Sequence, residues 1–173
     1  MLLVQAQAYR QQYNFNAVHL LLVNLYGPGD NFDPHISHVI PALIKKCFEA
    51  NENGSQFIDI WGDGSASREF LHVEDAARAV VLAVENYNHS EPINIGSGSE
   101  ITIRELALMI ARLTGFAGQL KWDATKPNGQ MRRRLNTSLA SKLFGFQSRI
   151  DFEQGIKETI NWYVENLIPI KTR

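Results

Sequence analysis

Cysteine occurs once, at Cys47, which excludes an intrachain disulfide and fits a reducing compartment. No apolar run approaches the roughly 18 residues needed to cross a bilayer. Residues 1–4 are apolar but stop at Gln5, with neither a basic leader nor a cleavage site, so they do not read as a signal peptide. Neither sign of charge dominates: 17 Lys and Arg against 18 Asp and Glu leave a net charge of −1, without the basic field that attracts nucleic acid or an acidic membrane. The five histidines show no metal-ligand spacing, so no metal site is expected. Nothing repeats and nothing is low in complexity. What remains is a 173-residue chain that is 45% hydrophobic and 20% charged, the composition of a globular protein with a sizeable core.

The order of elements predicts an α/β chain. Leu2, Leu3, Ala6 and Tyr9 recur near helical spacing, so residues 1–13 should form a helix, although no Ser, Thr, Asp or Asn caps its start. Residues 17–23 are apolar except at His19 and read as a strand buried on both faces of a parallel sheet. Later strand candidates at 57–60, 70–72, 92–95 and 119–122 are too few for a complete doubly wound sheet, so the chain reads as part of a fold whose main sheet lies elsewhere. Residues 37–50 should form a helix capped by Ser37, with Pro41 in its first turn and Ile40, Leu43, Ile44, Cys47 and Phe48 inward, followed by a turn at 51–55. Residues 73–86 should form another, with Glu74 and Asp75 at its positive end and a packing face of Ala76, Ala77, Val80 and Val84. Thr102-x-x-Glu105 is a capping box opening a helix through Leu106, Met109, Ile110 and Leu113 to a stop at Gly115. A polar loop over 123–134, helices at 137–144 and 152–166, and a terminating Pro169 complete the reading.

Two polar, glycine-rich segments organise the chain. Asn24-Leu-Tyr-Gly-Pro-Gly-Asp-Asn-Phe-Asp-Pro34 follows the apolar strand, at the place where sites form in α/β folds. Trp61-Gly-Asp-Gly-Ser-Ala-Ser-Arg68-Glu-Phe70 combines two glycines with an arginine whose planar fork suits phosphate or carboxylate. His38 is the best-placed proton carrier, and Trp61 could lay its flat face on a sugar or base; taken alone, a histidine such as His38 is more often structural, and Trp61 is as readily a core residue. Gly96-Ser-Gly98 invites a dinucleotide reading, but Ile101 stands where Gly-x-Gly-x-x-Gly needs its third glycine. A plain strand-to-helix connection, or a weak anion site at the helix start, is the alternative.

Four motifs carry a resemblance: Asn24-Leu-Tyr-Gly-Pro, Ser37-His-Val-Ile-Pro-Ala-Leu43, Trp61-Gly-x-Gly with Arg68-Glu-Phe-Leu-His72, and Lys126-Pro-x-Gly129. In this order they resemble the extended short-chain dehydrogenase/reductase family of nucleotide-sugar epimerases and dehydratases, and within it the GDP-L-fucose synthase branch. The resemblance covers nearly the whole chain but only the carboxy-terminal part of such an enzyme. It implies the last part of a Rossmann-type nucleotide-binding domain over residues 1–34 and mainly the smaller α/β substrate-binding domain over 35–173. The implied activity is NADP-dependent epimerisation and reduction of GDP-4-keto-6-deoxy-mannose to GDP-L-fucose in the cytoplasm. The implied substrate is a GDP-sugar, with no nucleic-acid or membrane partner and a homodimer formed through the first helix.

Site residues follow from the same resemblance. His38 is implied as the acid in epimerisation and as a cofactor neighbour, and Leu22, Val23, Asn24 and Leu25 as the segment bordering the nicotinamide, although proline often stands where Leu22 does. Lys46, Trp61, Arg68 and Asn128 are implied as substrate contacts. The family usually has Asp where Asn128 stands, a change that removes a charge and keeps hydrogen-bonding ability. The family's Tyr-x-x-x-Lys pair has no match here, and its lysine would fall just before Met1, so the chain is expected to begin inside that helix and to be inactive alone. Two further readings stay open: another NAD(P)-dependent nucleotide-sugar epimerase or dehydratase, and a non-catalytic nucleotide-sugar-binding module.

Overall fold

The computed structural model describes residues 1–168. In chain order its elements are α1 (Leu2–Tyr13), β1 (Leu20–Leu22), β2 (Asn24–Tyr26), α2 (Val39–Asn53), β3 (Phe57–Trp61), β4 (Ser67–His72) and α3 (Val73–Asn86). They continue with β5 (Ile93–Ile95), β6 (Glu100–Thr102), α4 (Ile103–Leu113), β7 (Gln119–Asp123), β8 (Arg132–Arg133), α5 (Ser138–Phe144) and α6 (Phe152–Leu167). The chain folds into two compact units, each assembled from three stretches: Met1–Leu25, Glu69–Ser99 and Arg134–Arg149 in the first, Tyr26–Arg68, Glu100–Arg133 and Ile150–Arg173 in the second.

In the first unit β1 and β5 run parallel, Leu20 opposite Ile93 and Leu22 opposite Ile95. Ile93 and Ile95 join Leu71, Tyr87, Phe144, Phe146 and the alanines of α3 in one core. The buried face of α3 is Ala76, Ala79 and Ala83, one turn apart, which lets the helix lie close to its neighbours. This corrects the expected face: Val80 and Val84 are 44% and 73% exposed, because only the line through Ala76, Ala79 and Ala83 faces the core. The first strand is also shorter than expected and not buried on both faces, since Leu21 and Leu22 are exposed and β5 is its one hydrogen-bonded neighbour among the described residues.

In the second unit β3 and β7 pair in parallel from Phe57 opposite Gln119 to Trp61 opposite Asp123. Alternation along β3 buries Ile58 and Ile60 and exposes Phe57, Asp59 and Trp61. Helix α2 packs on α4 and on β3 through Ile40, Leu43, Ile44, Cys47 and Ala50. It begins at Val39 with His38 in the capping position, not Ser37, and it continues through residues 51–53 until Gly54 closes it in the left-handed conformation at φ 65°. Ser37 cannot cap because it stands one residue too early; its hydroxyl is buried with no hydrogen-bond partner among the described residues. The Thr102–Glu105 capping box at the start of α4 forms as expected. The loop expected over 123–134 contains a short strand, β8, whose Arg132 and Arg133 pair in parallel with Ser67 and Arg68. Pro169 lies outside the described residues.

Candidate functional site

Three of the four expected substrate contacts meet in the second unit around the stretch from Lys126 to Gln130. Trp61, the last residue of β3, is 67% exposed, and the Lys126 ammonium lies 5.8 Å from its ring centroid. Asn128 Oδ1 accepts the Asp63 amide at 2.8 Å, just beyond Trp61 and Gly62. Arg68 Nη1 donates to its neighbour's carbonyl, Ser67 O, at 2.7 Å and also to Gln130 O. These two carbonyls hold one edge of a half-buried guanidinium. Lys46, on α2, is tied to the same strand from another direction, its Nζ donating 2.7 Å to Asp59 O, two residues before Trp61. An exposed aromatic plane beside two cations and a fixed arginine fork is chemistry suited to a phosphorylated, ring-bearing ligand.

His38 is exposed at the start of α2, where its carbonyl accepts the Ala42 amide at 3.0 Å. Asp30 belongs to the same region of the second unit. Burial pushes its carboxyl up, and the Asn31 amide and the charge of His38 pull it partly back. Asp30 Oδ2 has no hydrogen-bond partner among the described residues. A cavity of about 1340 Å³ opens here, lined by Asp30, Phe32, Lys45, Phe48, Trp162 and Tyr163 among others. None of Lys46, Trp61, Arg68 or Asn128 lines it, so this cavity and the expected substrate contacts lie at different places. Cys47 is buried, and burial pushes its thiol up, away from nucleophilic use.

The expected cofactor segment, Leu22 to Leu25, lies in the first unit, whereas His38, also expected beside the cofactor, lies in the second. Val23 N donates to Ile95 O at 3.0 Å, which fixes the backbone, and Asn24 Nδ2 donates to Glu69 O at 3.0 Å. Leu22 and Leu25 leave apolar surface open, at 39% and 37% exposure.

Glu69, which the sequence reading passed over, anchors this region. Its side chain is fully buried, Oε1 accepting the Gly98 amide at 2.7 Å and Oε2 the Leu135 amide at 2.9 Å. A methyl at Gly96 would collide with the same carboxylate. The Gly96-Ser-Gly98 turn therefore does receive an anion, and the anion is internal. An acidic residue between Arg68 and the apolar run Phe70-Leu71 was the available signal, since a carboxylate inside a buried strand needs dedicated donors. Among the described residues no group of three His, Cys, Asp or Glu side chains could hold a metal, and no helix is long and apolar enough to cross a membrane.

Parallel strand pairs flanked by helices define an α/β protein, and its glycine-rich loop presents an exposed tryptophan and a fixed arginine. Residues 1–96 match the model of the NAD dependent epimerase/dehydratase family, and the chain belongs to that family. It is 45% identical over 165 residues to the probable GDP-L-fucose synthase 1 of Oryza sativa subsp. japonica, covering 95% of this chain and 50% of the relative. It is 38% identical to the GDP-L-fucose synthase of Escherichia coli K12 over 169 residues, covering 92% and 52%. Among solved structures, a GDP-L-fucose synthetase from Naegleria fowleri bound to NADP superposes with a TM-score of 0.88 at 33% identity, covering 96% of this chain and 54% of that one. The chain thus spans about half the length of the curated relatives it matches.

Proposed function

We propose that this chain is the substrate-binding part of an NADP-dependent epimerase and reductase that converts GDP-4-keto-6-deoxy-mannose to GDP-L-fucose. The observation that supports it most is the grouping of Trp61, Arg68 and Lys46 about β3 and the 126–130 stretch. Relatives named GDP-L-fucose synthase favour this sugar over others of the family. In this reading Arg68 holds the diphosphate with the edge of its fork that Ser67 and Gln130 leave open, Trp61 covers a ring, and Lys46 adds positive charge. His38 carries the proton for epimerisation at its imidazole. Leu22, Val23, Asn24 and Leu25 border the nicotinamide, which supplies the hydride when the cofactor is bound. Residues 1–34 belong to the cofactor side and 35–173 mainly to the substrate side. The exposed Leu2, Val4, Tyr9 and Tyr13 of α1 suit a homodimer through that helix.

With neither Gly-x-Gly-x-x-Gly nor Tyr-x-x-x-Lys in its 173 residues, the chain should bind the nucleotide sugar without oxidising NADPH. Calorimetric titration tests the binding. GDP should bind saturably and more tightly than UDP, and Arg68→Ala should abolish the heat. Equal or absent binding of the two nucleotides would overturn the reading, as would steady NADPH oxidation with the keto sugar by the chain alone.

A further inference from the structure

The cavity beside the loop that follows β2 carries a chemistry that the proposed activity leaves unused. All of its lining residues belong to the second unit: the loop at 30–35, the carboxy-terminal half of α2 and the end of α6. Its aromatic residues form one connected set. Phe32 lies nearly parallel to Trp162, with the rings 19° apart and their centroids at 6.1 Å. Phe32 also lies 4.6 Å from Tyr163, which in turn is 5.4 Å from Phe48. Phe32 and Tyr163 are buried while Phe48 and Trp162 are half-buried, so the set is anchored in the core and keeps ring surface at the cavity.

The charge around these rings is mainly of one sign. Asp30, Asp33, Glu49 and Glu52 line the cavity against one ammonium, Lys45, and one imidazole, His35. Lys45 is already engaged, its Nζ donating to Phe32 O at 3.3 Å and lying 3.9 Å from Glu49 Oε1. Burial pushes the Tyr163 hydroxyl up, and the charges of Glu49 and Glu52 push it further, so the field of these carboxylates reaches the aromatic set. Asp30 is incompletely compensated: Oδ1 accepts the Asn31 amide at 2.7 Å, but Oδ2 is buried with no hydrogen-bond partner among the described residues. A cation brought near such a carboxylate stabilises its charged form.

A metal ion does not suit this place, because among the described residues no group of three His, Cys, Asp or Glu side chains could hold one. Ring faces attract an organic cation through their quadrupole and bury the apolar body that carries it. A volume of about 1340 Å³ has room for a whole molecule.

We infer that this cavity binds a small organic cation, an ammonium on an apolar body, with the body against Trp162 and Phe48 and the ammonium among the carboxylates. The site is separate from the proposed substrate contacts, and the inference does not rest on the nucleotide reading.

The test uses the three tryptophans, of which Trp162 alone lines the cavity. Phenethylammonium titrated into the isotope-labelled chain should shift the indole N–H resonance of Trp162, assigned by its loss in Trp162→Phe, and leave those of Trp61 and Trp122 in place. Saturation is expected with a Kd of about 1 mM, the scale of a small fragment. Phenylacetate and phenethyl alcohol carry the same body without the positive charge and should bind at least about tenfold more weakly. Glu49→Gln combined with Glu52→Gln, both exposed, should weaken phenethylammonium binding about fivefold with little change in melting temperature. Equal binding of the three compounds would make the cavity an unselective apolar groove and overturn the inference. Unchanged affinity in the glutamine variant would overturn it too, as would the absence of a saturable Trp162 shift or a shift of Trp61 or Trp122 in its place. Lys171 and Arg173 lie outside the described residues. Binding that appears only after Lys171→Gln with Arg173→Gln would make the chain's own basic end the occupant and refute a separate ligand.

Discussion

The two units use their acidic residues in opposite ways. In the first, Glu69 and Asp75 are buried and engage the fold: Glu69 receives two amides, and Asp75 receives the Arg149 amide at 2.9 Å together with an ion pair to Arg78 at 2.7 Å. In the second, Asp63, Glu100, Glu105 and Asp123 lie in a loop, at strand ends and in the first turn of α4, where each holds a local turn, cap or arginine. A buried carboxylate links stretches distant in sequence and is costly to remove. A peripheral one shapes a loop at little cost to the core. Glu69 and Asp75 of the first unit thus join stretches, and the carboxylates of the second shape a surface of the unit that also carries the proposed substrate contacts Lys46, Trp61 and Arg68.

The sharpest way to break this comparison is Glu69→Ala, which leaves the amides of Gly98 and Leu135 without their acceptors and should cost about 3 kcal/mol. Because Trp61, Trp122 and Trp162 all fall in the second unit, urea unfolding followed by tryptophan fluorescence should shift less than unfolding followed by circular dichroism. Ile110→Ala, at a position with no exposure, should cost about 3 kcal/mol by cavity formation and move the fluorescence transition most. Coincident shifts by both probes in both variants would mean that the two units do not differ in this respect. Arg68→Lys should weaken GDP binding by about 1 to 2 kcal/mol in a calorimetric titration while leaving unfolding nearly unchanged, because an ammonium cannot reproduce the guanidinium fork.

The smallest effect lies at the α4 cap. Thr102→Ala should cost about 1 kcal/mol in urea unfolding. The Glu105 carboxyl is held below its ordinary range first by the Thr102 hydroxyl and then by the Thr102 amide. Its contribution is therefore complete above the unfolded glutamate value of about 4.3 and fades as pH falls through the lower folded value. Urea midpoints measured down the acid limb should lose part of their pH slope in Glu105→Gln.

Elements with strong local signals were legible in the sequence. The helix expected over 73–86 and α3 coincide, and the Thr102–Glu105 box forms both of its reciprocal hydrogen bonds. Periodicity alone could not choose between the valine and alanine faces of α3, since both recur at helical spacing and only the packed neighbours decide. The cap of α2 was misplaced by one residue because Ser37 has the stronger intrinsic preference, yet the backbone turns at His38. Strand β8 escaped because its pairing with β4 joins residues 65 apart and arginine runs carry no strand signal. At the candidate site the residue types were legible, but the ties that hold them were not. The amide of Asn128 on Asp63 and the carbonyl of Gln130 on Arg68 are long-range contacts that no local pattern encodes.

The glycine-rich turn at Gly96 and Gly98 has one more consequence. This turn joins β5 to β6, and a glycine-rich turn of that kind can leave backbone amides open to a dissolved phosphate. Here the receptor and its ligand belong to one polypeptide, so Glu69 competes at an effective concentration that no free anion reaches. The turn behaves as a lock delivered with its key inside, and sulfate or phosphate added to the protein should leave the Gly98 amide unaffected.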